Sequence, residues 1–471
     1  MGRAPRWRRN HRHGNARFAL GRARPTDRPG QGWPRKRSDS PVECLHCQGR
    51  QCVKQWAWIA LLGIGPHVAA APVDDLLTLY THARVNYPTL QSAAAQTRLA
   101  SADVDAARAP LLPQWQLSVS QQRAGGAPSY NTTSSKITQS VVDVAARANL
   151  NAARAEANAQ DANFHVAKQA LLAELAIRYF DMLTAESQLA TYGANEAAFA
   201  ELVRQSEVRV AEGLSAAADV DQARATLGLA QAITQQAKEA LADARQALQQ
   251  LVGRAPEPLK HLKKTWQPAV LEPDPQADTL ADHPQLQAGD ASISAAKERI
   301  HAAQAGHLPT LALTVTSERA PRDYQPPRTS THSAVGLQLS IPLMMGGATL
   351  AQERQAVARR DIQIAQVEMT RRDITRNIKA QWEAAQGSIT QIKIIEAGAA
   401  AAERALAAIR SGQQIGTRTL TDVLNAIQTN GQAQLQLTQA RHRHVVALLL
   451  LKQAGGRLSV DDLAAINTLL E

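Results

Sequence analysis

One motif occurs twice in this chain, and its two copies constrain the fold more than any other feature of the sequence. Residues Gly416–Ala426 read G-T-R-T-L-T-D-V-L-N-A, and residues Gly213–Ala223 read G-L-S-A-A-A-D-V-D-Q-A. In both copies a long helical pattern ends at the glycine and a second helical pattern follows. Glycine reaches left-handed backbone angles without steric cost, so it suits a turn that ends a helix. The sequence therefore predicts two helical hairpins of similar design, each with an acidic residue just beyond its tip.

The segments that precede the two helical hairpins are also duplicated, and they predict β-strands. Proline-bounded helices over residues 88–109 and 284–306 each lead into a segment in which apolar and polar residues alternate. A second alternating segment follows in each half, at 136–142 and 335–341, so each half contains one predicted β-hairpin. An apolar face opposite a polar face is typical of a barrel wall in lipid. Four strands are too few to close a barrel, since about eight are needed, and we therefore expect several chains to close it together.

Long helices are predicted after each β-hairpin. Residues 144–211 and 348–411 repeat apolar residues at spacings of three and four, the pattern of antiparallel coiled coils. At a rise of about 1.5 Å per residue, each helix would be roughly 100 Å long. Shorter return helices are predicted over residues 217–251 and 418–454. The apolar positions of the second long helix are Ile378, Trp382, Ala385, Ile389 and Ile392.

The first 52 residues differ from the rest of the chain in composition. They carry nearly all of the net charge of +11 and all three cysteines, Cys44, Cys47 and Cys52. They are rich in Arg, Pro and Gly and lack hydrophobic periodicity, which predicts disorder. A basic nucleic-acid-binding protein carries its charge on the folded body, so we expect no nucleic-acid partner. Cys44 and Cys47 have the spacing of metal ligands, but no second pair follows them, and we expect no metal site.

Residues 53–70 have the features of a secretory signal. Lys54 precedes a short apolar run, and small residues follow it before the first polar positions. The apolar run is too short to span a membrane. We expect cleavage near Ala70, and we interpret Val53 as the true translation start.

The predicted fold class is α+β with an internal duplication and four strands per chain. The predicted organisation is a basic extension over 1–52, a signal peptide over 53–70, a first structural repeat over 72–252, an equatorial connector over 253–282, a second repeat over 283–456 and a C-terminal helix over 457–471. The connector is rich in proline, which is typical of a segment without regular structure.

Catalytic signatures are absent from the sequence. It contains no G-x-S-x-G, no H-E-x-x-H and no G-x-x-x-x-G-K motif. We therefore expect neither an enzyme nor a cofactor. His442 and His444 are close in sequence, and we expect them on a solvated helix face rather than at a metal ion.

From about Asp74 to the C-terminus the sequence resembles the TolC family of outer-membrane export channels. The matching motifs are T-Q-S-V-V-D at 138–143, G-L-S-A-A-A-D-V at 213–220, I-P-L-M-M-G-G at 341–347 and I-G-T-R-T-L-T-D-V-L-N-A at 415–426. The resemblance implies a homotrimer whose twelve-stranded outer-membrane β-barrel is continuous with a long α-helical periplasmic tunnel. It also implies docking through a periplasmic membrane-fusion adaptor onto an inner-membrane transporter.

The second tip motif resembles most closely the family branch that serves type I secretion, in which the partner is an ABC transporter and the cargo an unfolded protein. This resemblance predicts a type I protein secretion channel, for a toxin for example, in the outer membrane of a Gram-negative bacterium. A multidrug or solvent efflux channel with a proton-driven pump is the first alternative. A periplasmic coiled-coil adaptor or scaffold is an alternative of another class. Adaptors usually need one hairpin and no lipid-facing strands, so the duplicated strand pairs argue against the second alternative.

The resemblance also implies roles for residues near the hairpin tips. Asp219, Arg418 and Gln413 fall where the closing contacts between neighbouring hairpins lie in the family, and they form the implied tip latch. Asp422 and Asn425 fall at the implied pore constriction. In a trimer Asp422 would place three carboxylates around the pore and favour cations. Asn425 replaces a second acid, so we expect a weaker cation preference.

Adaptor docking is implied at the hairpin tips themselves, although Glu212 replaces an apolar residue there. The matching positions are Gly213, Leu214, Gly416 and Thr417. Helix capping is a simpler explanation for Asp219 and Asp422, because a carboxylate is favoured at any helix N-terminus.

Overall fold

The computed structural model describes residues 74–123, 129–263, 266–268, 280, 282–321 and 329–471. The helices are α1 Leu76–Asn86, α2 Pro88–Arg108, α3 Val144–Ala211, α4 Ala217–Val252, α5 Pro284–Gln304, α6 Ala348–Gln414, α7 Leu420–Ala454 and α8 Val460–Asn467. The strands are β1 Gln114–Gln122, β2 Tyr130–Val142, β3 Thr310–Pro321 and β4 Thr329–Ser340. Several predicted segments lie outside the described residues. They are the basic extension, the signal peptide, the start of the first repeat and part of the connector.

The four strands form one antiparallel sheet in the order β1-β2-β3-β4. The two predicted β-hairpins are confirmed, and β2 and β3 join them into a single sheet. Strand β2 begins at Tyr130 rather than at the predicted residue 136. The polar residues 130–135 lack strong alternation, but β1 supplies their backbone partners along the whole segment. Pairing therefore extends the strand beyond what its side-chain pattern indicates.

The sheet has one apolar and one polar face, and both faces lie open in the single chain. Cross-strand register places Trp115, Ile137, Val315 and Val335 in one row. Successive side chains of a strand point to opposite faces, so the apolar positions of all four strands share one face. That face contains Trp115, Leu117, Val119, Ile137, Leu311, Leu313, Val315, Val335, Leu337 and Leu339. Strands β1 and β4 each have one neighbour in the chain, and an exposed strand edge is a template for pairing with another chain.

Helices α3 and α6 have the predicted lengths. Helix α3 contains 68 residues, which corresponds to about 100 Å, and it begins where the Asp143 carboxylate accepts a hydrogen bond from the Ala146 N–H at 2.8 Å. Buried residues recur along α6 at intervals of seven. They are Ile378, Ala385, Ile392, Ala399 and Leu406. A seven-residue repeat keeps one stripe against a partner helix in a left-handed supercoil, and α7 is that partner.

The largest core lies near the middle of α3, away from the sheet and from the hairpin tips. Its fully buried members on α3 include Leu171, Leu175, Tyr179 and Leu183. Burial of each such side chain stabilises the fold by roughly 1.5–3 kcal/mol. The hydroxyl of Tyr179 donates to the Lys260 carbonyl at 2.7 Å, so this core also holds the start of the connector.

Both described ends of the chain meet the connector at this core. The buried Asp74 carboxylate forms an ion pair with Arg254 at 2.5 Å and accepts a hydrogen bond from the Glu257 N–H at 2.9 Å. The C-terminal residue Glu471 exchanges two backbone hydrogen bonds with His261, at 2.8 and 3.0 Å. Segments that are far apart in sequence therefore close into one layer around the middle of the helices.

The expectation that His442 and His444 lie on a solvated face is wrong. Their side chains are 5% and 0% exposed, because α3 and α6 cover opposite sides of α7. The His442 Nδ1 lies 2.8 Å from the Thr184 hydroxyl, and the His444 Nδ1 lies 2.6 Å from the Ser388 hydroxyl. Within the described residues no group of three or more His, Cys, Asp and Glu side chains could hold a metal ion.

Across the segments that the structure describes, no helix combines the length and apolar character that a membrane span requires.

Candidate functional site: the two hairpin tips

The first tip joins α3 to α4 through residues 212–216. Gly213 has a φ of 75°, in the left-handed region. The Leu214 N–H donates to the Arg209 carbonyl at 2.8 Å, and the Gly213 N–H donates to the Val210 carbonyl at 3.0 Å. These bonds satisfy the last carbonyls of α3 in the manner of a Schellman turn. The turn leaves Leu214 70% exposed at the end of the hairpin.

The second tip joins α6 to α7 with the same backbone geometry. Gly416 has a φ of 80°, and the Thr417 N–H donates to the Gly412 carbonyl at 2.9 Å. The hydroxyl of Thr417 donates to the same carbonyl at 3.0 Å. Ile415 is 77% exposed, so this tip also presents an apolar side chain to solvent.

Gly412 allows Arg418 to fold back against the end of α6, a contact that the sequence analysis missed. A Cβ atom at Gly412 would lie 2.8 Å from the Arg418 Cγ, which is closer than real Cβ contacts. The signal in the sequence was a glycine inside a helical pattern, a position at which glycine is less favourable than alanine.

Asp422 caps α7, as the simpler explanation predicts. Its side chain accepts a hydrogen bond from the Thr419 N–H at 3.0 Å, while the Asp422 N–H donates to the Thr419 hydroxyl at 3.2 Å. This reciprocal pair is a capping box. The hydrogen bonds from Thr419 lower the pKa of Asp422 below its usual value, and the charge of Arg418 lowers it further. The carboxylate is therefore ionised at neutral pH, as a charged pore lining requires.

Asn425 lies about one turn after Asp422 on α7 and is exposed. Residues three positions apart on a helix are neighbours on its surface. The two predicted constriction residues therefore occupy one side of α7, close to the second tip.

Asp219 occupies the position in α4 that Asp422 occupies in α7, the third residue of the helix. The hydroxyl of Ser215 donates to its carboxylate. In the described part of the chain no ion pair joins Asp219 to Arg418. The charge of Arg418 instead lowers the pKa of Asp422. Gln413, the third predicted latch residue, lies in the last turn of α6 and is partly buried. A latch between hairpins of different chains stays a prediction.

The two hairpins pack against each other next to their tips. Phe199 and Leu202 of α3 share a buried cluster with Val423, Leu424 and Ile427 of α7. This cluster fixes the second tip relative to the first. An outward movement of one hairpin within a chain therefore has to break apolar contacts as well as polar ones.

A groove of about 750 Å³ lies between α3, α4 and α7 beside this cluster. Amide side chains form much of its lining. They are Asn195, Gln222, Gln236, Asn425, Gln428, Gln432, Gln436 and Gln439. Amides spaced by three and four along α7 are the signal in the sequence for this surface. Such a lining forms hydrogen bonds with many groups without carrying charge.

Comparison with known proteins identifies the family. The sequence profile described as outer membrane efflux protein matches residues 79–254 and 277–457. The chain belongs to the outer membrane efflux protein family. It is 29% identical over 432 residues to outer membrane protein TolC of Escherichia coli, a match that covers 87% of each chain. It is 27% identical over 321 residues to the alkaline protease secretion protein AprF of Pseudomonas aeruginosa, and this match covers 66% of each chain.

Solved structures of outer membrane efflux proteins have the same fold. The crystal structure of the outer membrane protein VceC from Vibrio cholerae superposes with a TM-score of 0.70 at 22% sequence identity, covering 81% of this chain and 96% of VceC. The fold is that of the trimeric TolC-family channels, which confirms the predicted α+β class with four strands per chain. The chain is an outer-membrane export channel. The relatives are channel and secretion proteins rather than enzymes.

Proposed function

We propose that this chain forms a homotrimeric type I secretion channel that works with a periplasmic adaptor and an inner-membrane ABC transporter. The supporting observation is the matched pair of tips, each of which exposes an apolar side chain, Leu214 or Ile415, beside a left-handed glycine. Contiguous exposed apolar patches mark protein-docking surfaces, and in the proposed trimer the three copies of both tips together would supply such a patch. The similarity to a protein named for protease secretion supports secretion as the activity.

In this proposal the adaptor docks at Gly213, Leu214, Gly416 and Thr417. Backbone turns with satisfied hydrogen bonds keep the tips rigid, so little conformational entropy is lost when the partner binds. Cargo passes from the transporter into the tunnel and through the barrel. The channel itself performs no chemical step, and the proposal includes no cofactor.

The constriction in this proposal consists of Asp422 and Asn425 from each of three chains. Three ionised carboxylates around a narrow pore favour cations. Arg418 lies near each Asp422, so part of this negative potential is offset within the same tip. Cation preference is therefore expected to be moderate.

Arg418→Ser is expected to enlarge the single-channel conductance of the purified protein in a planar bilayer. Arg418 is exposed and forms no ion pair with Asp219 of its own chain, so it is available to a carboxylate of a neighbouring hairpin. An exposed pair contributes about 0–1 kcal/mol, and three pairs around a ring would bias the closed state. Arg410→Ser, which removes an exposed arginine from α6 before the tip, is the control. Equal conductance of the two variants would argue against a latch at Arg418.

Deletion of the gene is expected to remove one or a few proteins from the culture medium while drug susceptibility stays unchanged. The secreted proteins are measured by mass spectrometry of the medium, and susceptibility by growth inhibition with several drugs. Complementation with the wild-type gene is the control. An unchanged set of secreted proteins together with increased drug susceptibility would contradict secretion.

Multidrug or solvent efflux with a proton-driven pump is the second candidate function. It is favoured by the description of the matching family as efflux proteins. The two candidates share the channel and differ in the inner-membrane partner. A periplasmic adaptor or scaffold is disfavoured, because a sheet with ten apolar side chains on one open face is typical of a barrel wall in lipid.

A further inference from the structure

We propose that the groove between α3, α4 and α7 binds an extended, unfolded segment of the exported polypeptide through its peptide groups. The proposal rests on the protein secretion channel proposed above and names the surface at which that channel holds its cargo. The segment lies between a row of amide side chains on α7 and a partly apolar row on α4. Peptide groups are common to all polypeptides, so the site accepts cargo of any sequence.

The two rows are corresponding faces of the duplicated return helices. The amide row on α7 consists of Asn425, Gln428, Gln432, Gln436 and Gln439. The second row, on α4, consists of Gln222, Thr226, Leu229, Ile233 and Gln236. Spacings of three and four keep each row on one side of its helix. Gly213 and Gly416 of the two tips are 203 positions apart, and the same offset relates Leu229 to Gln432 and Ile233 to Gln436.

The dimensions of the groove suit a short extended segment. Residues 425–439 extend over about 21 Å at a helical rise of about 1.5 Å per residue. An extended polypeptide advances about 3.3 Å per residue, so about six of its residues lie along the row. The groove volume of about 750 Å³ falls within the range of roughly 300–1,000 Å³ that is typical of ligand sites.

The lining of the groove favours a neutral ligand. Of the described residues that line it, none is charged, although Asp221 and Arg224 lie on the same stretch of α4. Charged residues make up 20% of the chain, so about four of the eighteen lining residues would be charged in a surface of average composition. A charged group that entered the groove would lose water without gaining an ion-pair partner. Peptide groups carry no charge and avoid this cost.

The amide row has free hydrogen-bonding capacity. In the part of the chain that the structure describes, the exposed side chains of Gln428, Gln432 and Gln436 form no hydrogen bond with another protein group. By contrast, Gln205 donates to Glu201 and Gln304 donates to Glu353, each at 2.9 Å. A glutamine amide is both donor and acceptor, and each peptide group needs a partner for its N–H and for its C=O. The amide row can therefore replace water along an unfolded backbone.

The combination of an amide row with apolar side chains distinguishes an unfolded polypeptide from other occupants. Leu229 and Ile233 are 69% and 39% exposed, so the groove also offers contact to the apolar side chains of an unfolded segment. A docked helix has its backbone hydrogen bonds satisfied internally and would leave the amide row without peptide partners. An apolar small molecule would likewise cover the amides without pairing them, which is unfavourable.

The groove adjoins the proposed constriction. Asn425 belongs to the amide row and lies about one turn from Asp422. From Asn425 the row runs along α7 away from the second tip, toward the core that contains Val445 of the same helix. A polypeptide that has passed the constriction therefore meets the amide row next. Each contact exchanges a hydrogen bond with water and is weak on balance, so the segment can move from one level of the row to the next.

The first measurement establishes whether the groove is open in the trimer. The parent protein is the full-length chain with Cys44, Cys47 and Cys52 replaced by Ser. Gln432→Cys in this parent is expected to react with a water-soluble maleimide in the intact trimer. A Gln432→Cys trimer that stays unmodified would show that a neighbouring copy covers the groove, and it would overturn the proposal.

Single-channel recording in a planar bilayer then measures how long an unfolded peptide occupies the channel. The probe is an unstructured neutral peptide of glycine, serine and asparagine, about 20 residues long, added on the side that the barrel faces. The groove variant combines Gln428→Met, Gln432→Met and Gln436→Met, which removes the hydrogen bonds and keeps the side-chain size. It is expected to shorten the current blockades at least tenfold, because three amide contacts are lost.

The matched control variant changes three exposed glutamines of α4 that do not line the groove. It combines Gln231→Met, Gln246→Met and Gln250→Met, and we expect blockades as long as those of the wild type. Polyethylene glycol of the same size has no N–H donor, and its blockades are expected to be equally brief in all three proteins. Wild-type peptide blockades are expected to keep their duration when the KCl concentration changes tenfold, since contacts between neutral groups are not screened.

Equal peptide blockades in the wild type and the groove variant, or equal shortening in the control variant, would overturn the groove as the binding surface and leave the secretion channel standing. If the groove variant formed no trimer, Gln432→Met alone would carry the test, with an expected shortening of about twofold. An unchanged set of secreted proteins after gene deletion would contradict secretion without affecting the peptide blockades. A wild-type trimer without conductance would overturn both proposals.

Discussion

Asp422→Lys is expected to reverse the ion preference of the channel from cations to anions. Three carboxylates at the proposed constriction become three ammonium groups, and the nearby Arg418 then adds to the positive potential instead of offsetting it. The reversal potential of single channels in a planar bilayer, measured across a tenfold KCl gradient, is expected to change sign. This variant has a large effect because it changes the charge at the constriction by two units in each chain.

Asp422→Asn separates the charge of this residue from its structural role. The amide oxygen can accept the hydrogen bond from the Thr419 N–H that the carboxylate accepts at 3.0 Å, so the capping box is largely kept. We expect the reversal potential to move toward zero while the thermal stability of the trimer stays close to that of the wild type. Asp219→Asn is the control, since it removes an equivalent carboxylate from the other hairpin. A reversal potential that is unchanged in both Asp422 variants would mean that Asp422 only caps α7.

Acidification from pH 7 to pH 4.5 is expected to destabilise the wild-type protein, and His442 is expected to account for much of this loss. Burial of His442 on α7 against α3, together with the charge of the nearby His261, lowers the pKa of His442 from its ordinary value of 6.5 to about 4. The unfolded chain therefore binds a proton in this range that the folded chain does not. The stabilisation is fully present above pH 6.5 and is lost as the pH falls toward 4, by at most roughly 3 kcal/mol for one chain.

His442→Gln is expected to reduce the difference in apparent melting temperature between pH 7 and pH 4.5. Gln is neutral at both values and keeps a side-chain partner for the Thr184 hydroxyl. The pair formed by His261 and Glu186 at 3.6 Å lies on the adjoining surface, so some pH dependence is expected to remain. His165→Gln, at an exposed position of α3, is the control and is expected to behave as the wild type. A pH difference that His442→Gln leaves unchanged would assign the acid sensitivity to other groups.

Much of the fold followed from periodicity in the sequence. The spacing of Ile378, Ala385 and Ile392 predicted which stripe of α6 is buried, and the alternation in β1 and β3 predicted the apolar face of the sheet. The glycines of the two tips predicted where the long helices end. These features depend on neighbours within a few residues along the chain, and a sequence records such neighbours directly.

Other features depended on which distant segments pack together. The same local pattern placed His442 and His444 on a solvated face, whereas α3 and α6 cover both sides of α7 at that level. The ion pair of Asp74 with Arg254 likewise joins residues that no local pattern relates.

At the tips, the sequence determined two capped helical hairpins with an acid at the third position of each return helix. Only the tertiary structure showed that Arg418 folds back toward Gly412. It also showed that the charge of Arg418 lowers the pKa of Asp422. It also decided the register in which β2 pairs with β3. The physical reason is the same in each case. Local periodicity selects the face that a helix or strand buries, but the partner of that face is set by packing between segments that are far apart in sequence.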